Sequence, residues 1–106
     1  MPVADRTDTE PTAAQIAALP GLSLLEFGAS WCGFCARSQP DIQHALRKHP
    51  QTRYVKVEDG PGRPLGRRFG VKLWPTLMLL RDGHEIAHTV RPANRQAISE
   101  LLERSQ

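Results

Sequence analysis

Cysteine is scarce in this chain of 106 residues: there are two, separated by two residues, both within Ala29 to Pro40, ASWCGFCARSQP. That excludes the multiply cross-linked folds of small secreted domains. It also argues against a structural zinc site, because no second Cys pair exists and the four histidines (His44, His49, His84 and His88) show no finger spacing. No apolar run is long enough to span a bilayer, and the opening MPVADRTDTEPTAAQIAALPG has no basic start followed by an apolar core. With no export signal read there, the cytoplasm is the expected compartment, where thiols are kept reduced. The 14 Lys and Arg are scattered, only Arg47-Lys48 and Arg67-Arg68 being adjacent, and the net charge is +3. Nucleic-acid binding needs a denser stripe, so no nucleic-acid partner is expected. GPGRPLG lacks the spacing of a phosphate-binding loop, so no organic cofactor is implied. The lack of an isolated cysteine with a distant partner speaks against a dedicated peroxidase.

What is present suffices for one compact domain: 40% hydrophobic and 24% charged residues are ordinary for a globular chain. Residues 1–10 are polar and without period, a flexible arm or at most a short edge strand, which leaves 11–106 as the domain. PTAAQIAALPG reads as a short helix with Pro11 at its first position, and LSLLEF as a buried strand that carries Glu26. CARSQPDIQHALRKH is a helix with Pro40 inside it, where a kink is expected. RYVKV is a strand, EDGPGRP a loop, and LGRRFG a short helix closed by Gly70. TLMLL and IAHTV, joined through an Asp-Gly turn, form an antiparallel hairpin, and NRQAISELLERS is an amphipathic helix. The order α, β, α, β, α, β, β, α makes an α/β fold: a mixed sheet of about four strands with helices on both faces.

Cys32 and Cys35 stand at i and i+3 where a strand turns into a helix, so both thiols lie on one face. A bridge between them would close a tiny loop, and loop entropy makes it a poor staple. Reversible exchange is the reason to keep two thiols this close. Cys32, at the helix start, meets unpaired N–H groups and the positive end of the helix dipole, which favour thiolate. Cys35, one turn inward, is expected to be shielded. Cys32 is therefore read as the nucleophile and Cys35 as the resolving thiol. An acid inside an apolar strand is costly unless paired or functional, so Glu26 is a candidate for moving a proton to or from Cys35.

FGASWCGFC, VKLWPTLMLL and RDGHEI, in that order, resemble the thioredoxin family, the likeness covering about residues 22–104. The resemblance implies the thioredoxin fold, a redox-active Cys32-Cys35 disulfide with no other cofactor and no metal, and Trp31 packed beside the dithiol. It further implies a cis-proline at Pro75 that leaves the backbone of the preceding residue free to pair with an extended substrate. Glu26 matches the family's buried acid and Lys56 the lysine that accompanies it. Trp31, Gly33, Phe34, Trp74, Pro75 and Arg91 are the expected substrate-binding residues. Three positions depart from the family: Gly28 replaces a frequent second tryptophan, Phe34 a proline common in reductases, and Arg91-Pro92 a small glycine-containing turn. Trp74 either fills the space left at Gly28, or walls the substrate groove, or is an ordinary core aromatic.

The expected activity is reduction of disulfides in protein substrates by a monomer that an electron-donating reductase recharges. The alternatives are a thiol oxidase or disulfide isomerase, suggested by Phe34, and a binding or chaperone module whose dithiol is incidental, suggested by Trp74 and Arg91.

Overall fold

The computed structural model describes residues 11–105. The N-terminal arm or edge strand expected over 1–10 lies outside them. The eight expected elements are all present: α1 (Ala13–Ala17), β1 (Leu22–Gly28), α2 (Gly33–Arg47), β2 (Arg53–Glu58), α3 (Pro64–Arg68), β3 (Thr76–Arg81), β4 (His84–Val90) and α4 (Arg95–Glu103). The strands form one mixed sheet in the order β2-β1-β3-β4. β1 runs parallel to β2 and antiparallel to β3, and β3 is antiparallel to β4.

β1 and β3 are apolar nearly throughout because helices cover them on both faces. On one face Leu24, Tyr54, Leu77 and Leu79 pack with Ile42 and Ala45 of α2 and with Ile98, Leu101 and Leu102 of α4. On the other, Leu25, Phe27, Val57, Met78 and Leu80 meet Ile16 of α1 and Leu65 of α3. β4, at the edge, alternates between exposed and half-buried residues over its second half. Its tight turn from β3 passes through Asp82 and Gly83, both at positive φ (50° and 82°), the geometry of a type I′ hairpin turn.

Helix starts differ from expectation where a side chain supplies a better cap. Pro11 is not the first residue of α1. Thr12 caps that helix instead, accepting from the Gln15 N–H while the Gln15 side chain accepts from the Thr12 N–H. α3 starts one residue earlier than read, on Pro64, whose missing N–H costs nothing at a first helical position. α2 begins at Gly33, which places Cys32 directly on its N-cap.

Candidate active site

The parallel β1–β2 pair carries the chain to the end of β1, where three anchors hold the loop. Asp59 N–H donates to Gly28 O (2.7 Å), Ser30 N–H donates to the Glu58 carboxylate (3.2 and 3.3 Å), and Cys32 N–H donates to Ala29 O (3.0 Å). Cys32 then serves as the N-cap of α2 with its sulfur in the place usually taken by a Ser or Asp oxygen. The Cys35 N–H donates to Cys32 Sγ at 3.3 Å. Both cysteines are free thiols, Cys32 half-buried and Cys35 only 3% exposed.

The two thiols are driven apart in acidity. Burial by itself pushes Cys32 up, but hydrogen bonds from the Cys35 thiol and from the Cys35 and Phe34 N–H groups, with the Arg91 charge, outweigh it and leave Cys32 below its ordinary value. Cys35 is pushed up to about 12, first by burial, then by the hydrogen bond its S–H makes to Cys32 and by the nearby charges of Cys32 and Glu26. One thiol is thus poised to attack while the other holds its proton.

Around this pair the aromatic residues form two groups. Trp31 is 75% exposed and meets Trp74 edge-on, with ring centroids 5.3 Å apart and planes at 76°. Trp74 is half-buried and packs on the cluster that contains Phe27 and Val71, while its Nε1–H donates to Asp59 Oδ2 at 2.8 Å. It is therefore a fixed base under Trp31 rather than an ordinary core aromatic. On the other side of Cys32, exposed Phe34 lies beneath two guanidinium groups, Arg37 at 4.5 Å and Arg91 at 4.2 Å from its ring centre.

The Trp74-Pro75 bond is cis and Pro75 is buried. Of the Trp74 backbone ahead of it, the carbonyl is occupied: Arg91 Nε–H donates to Trp74 O at 2.8 Å, while Arg91 N–H donates to the proline's own carbonyl at 2.9 Å. Arg91 has φ of +47°, and its guanidinium lies over the Phe34 ring as well as against the Trp74 carbonyl.

Glu26 is fully buried in β1, beside Lys56 in the parallel register with β2 and Leu77 in the antiparallel register with β3. Gln39 Nε2–H donates to Glu26 Oε1 at 2.8 Å, and the Tyr54 hydroxyl donates to the same oxygen. A cavity of about 310 Å³ opens beside the dithiol, lined by Cys32, Cys35, Ser30, Gln39 and Lys56. Gln39 thus touches both the cavity and the acid. A second groove of about 340 Å³ runs between Phe34, Arg37 and Ser38 of α2 and Pro75, Arg91 and Pro92. A further, apolar cavity of about 240 Å³, between Phe69 and Val90, holds neither cysteine. Among the described residues no group of three or more His, Cys, Asp or Glu is placed to hold a metal ion, and no helix is long and apolar enough to cross a membrane.

A thiol capping a helix, a shielded partner one turn on, a cis-proline in the groove with Phe34 and a buried acid whose charge is felt by the second thiol stand together here, and the thioredoxin family model matches residues 5–104. The chain belongs to the thioredoxin family. It is 32% identical over 87 residues to thioredoxin of Chlamydia muridarum, which covers 81% of this chain and 84% of that one. Thioredoxin 2 from Pseudomonas aeruginosa PAO1 in its reduced form is 42% identical with a TM-score of 0.81, over 93% of this chain and 96% of that one. Protein disulfide-isomerase A3 of Gallus gallus is 39% identical over 71 residues, 66% of this chain and 14% of that protein. This thioredoxin-family protein is a thiol-disulfide oxidoreductase with a Cys-x-x-Cys centre.

Of the residues read from the sequence, Trp31 meets Trp74, Arg91 meets Phe34 and the Trp74 carbonyl, Pro75 shares their groove, Gly33 opens α2 beside Cys32, and Cys35 is buried one turn on. Glu26 and Lys56 lie behind the dithiol. Four residues of this thioredoxin-family site escaped the sequence reading: Gln39, Tyr54, Asp59 and Arg37. Gln39 and Arg37 sit among the polar residues of α2, where periodicity separates buried from exposed but says nothing of partners. Tyr54, the only tyrosine, on a strand facing Glu26's side of the sheet, was the one available signal.

Proposed function

We propose that this protein reduces disulfides in protein substrates. The observation that carries the reading is the split in the dithiol, with Cys32 below the ordinary thiol value and Cys35 pushed up to about 12. The Cys32 thiolate attacks one sulfur of a substrate disulfide. A Cys32–substrate bond forms, the substrate S–S bond breaks, and the leaving sulfur departs as a thiolate that takes up a proton. Cys35 then gives up its proton and attacks Cys32 Sγ, which forms the Cys32-Cys35 disulfide and releases the second substrate thiolate. The dithiol has lost two electrons and the substrate disulfide has gained them.

Glu26 is the acid–base group for Cys35 in this reading, positioned by Gln39 and Tyr54, and Lys56 flanks the cavity through which the proton exchanges. Trp31, Gly33, Phe34, Trp74, Pro75 and Arg91 form the substrate-binding surface. The working partners are disulfide-bearing proteins and a reductase that restores the dithiol. The protein acts as a monomer in the cytoplasm, with no cofactor beyond its own disulfide.

Insulin disulfide reduction with dithiothreitol as donor is expected to be accelerated by the wild type and not by Cys32→Ser. Equal rates would reject the proposal. A second reading, as an oxidase or isomerase, draws on Phe34 between the cysteines and on the likeness to a protein named for disulfide isomerisation. Equilibration with a glutathione buffer separates the two, since a strongly reducing couple excludes the second.

A further inference from the structure

The groove between α2 and the Pro75 loop is cationic where it meets the dithiol. Arg37 and Arg91 both lie over the Phe34 ring, so their charges are separated by no more than the sum of 4.5 and 4.2 Å. Among the described residues neither is paired with a carboxylate. Asp41, the acid in this groove, is taken by Arg95, whose Nε–H donates to it at 3.3 Å. The Arg37 guanidinium reaches back to the residue after Cys32: its Nη1 would lie 3.5 Å from a Cβ built on Gly33. Arg91 binds the Trp74 carbonyl through Nε, and no partner among the described residues takes its two terminal nitrogens. Two cations without a carboxylate partner among the described residues thus stand over the ring of Phe34, between the two cysteines in the chain, with the Arg91 charge felt at Cys32.

We propose that Arg37 and Arg91 form a carboxylate-reading subsite, which gives this reductase a preference for disulfides with Asp or Glu next to the bonding cysteine. The inference rests on the reductase reading above and names the substrate class for it. The cation–π contact with Phe34 holds each guanidinium within 4.5 Å of the ring centre, and its N–H groups can bind a carboxylate with charge-assisted hydrogen bonds. A substrate carboxylate that draws Arg91 outward also vacates the Trp74 carbonyl for a substrate N–H. Phe34 supports the pair from below; a proline at that position would offer no aromatic face.

The experiment uses two disulfide peptides, identical except for two Asp or two Lys beside the cysteine, with insulin reduction followed in parallel. The acidic peptide is expected to be reduced with kcat/KM higher by about 2- to 10-fold at low ionic strength, the range of exposed ion pairs, and the ratio should fall toward one as salt is raised. Arg37→Gln with Arg91→Gln should bring the ratio near one. Arg37→Glu alone, at an exposed helix position, should lower it, and reversal of both charges should invert it. A positional role for these side chains would not produce that inversion. Equal turnover of both peptides by the wild type, or a preference that survives charge reversal, overturns the inference and leaves the reductase reading standing. Insulin reduced while neither peptide is turned over also overturns the inference alone. If insulin and both peptides all remain oxidised, the reductase reading falls and the inference with it.

Discussion

Glutamine at position 26 separates the two halves of the reaction. In the reduced pair, where the Cys32 charge adds to burial, the Cys35 thiol is pushed up to about 12; in the mixed disulfide that charge is gone, yet burial and the Glu26 charge still hold the proton, so little of the thiol is ionised at pH 7. Attack by Cys32 does not wait on this ionisation, but release of the substrate by Cys35 does. A positioned acid–base group contributes about 10²- to 10⁴-fold to such a proton transfer. Glu26→Gln keeps the volume and leaves an oxygen that can still accept from Gln39 Nε2 and the Tyr54 hydroxyl, so the packing of β1 against α2 is preserved. It cannot take the proton. The expected outcome is a mixed disulfide that forms at nearly the wild-type rate and decays about 100-fold more slowly or worse. Decay in the variant should rise about tenfold per pH unit from 7 to 9, as direct ionisation of Cys35 takes over, while the wild type rises less steeply. Rapid acid quench with intact-mass detection of the Cys32–peptide adduct measures both phases. Decay at the wild-type rate with the wild-type pH slope would refute a role for Glu26 in moving the Cys35 proton.

Two further outcomes follow from the same geometry. The reduced protein should lose stability as pH rises from about 9 to about 12: the fold binds the Cys35 proton more tightly than the unfolded chain does, so ionisation favours unfolding through that window. Urea unfolding of wild type and Cys35→Ala across alkaline pH checks this, and parallel pH dependences would contradict it. Gly66→Ala places a Cβ 2.2 Å from Asp59 Oδ1, so Asp59 must move off the Trp74 Nε1–H it accepts. The expected cost is about 1 kcal/mol, that of one hydrogen bond, with a change in tryptophan emission from the Trp31–Trp74 pair; unchanged stability and emission would show that Asp59 does not hold Trp74.

The order of elements, the two apolar central strands, the hairpin at Asp82-Gly83 and the dithiol at the start of α2 were all legible in the sequence. Each is written in residues adjacent along the chain: runs of apolar side chains, helical spacing, a Gly with positive φ, two cysteines one turn apart. So was Glu26, because an acid within an apolar run is a local anomaly, whereas Pro75 was marked only by the resemblance of VKLWPTLMLL to the family. Local pattern reports which side a residue faces and not what it meets there. Only the tertiary structure joined Glu26 to Gln39 and Tyr54, which lie 13 and 28 residues away, Trp74 to Asp59 at 15, and Arg91 to the Trp74 carbonyl at 17. It also brought Arg37 and Arg91, on α2 and after β4, over the same ring. The chemistry of the site follows from adjacency along the chain. The control of that chemistry depends on contacts the sheet creates when it sets β1 between β2 and β3 and folds the end of β4 back toward the start of α2.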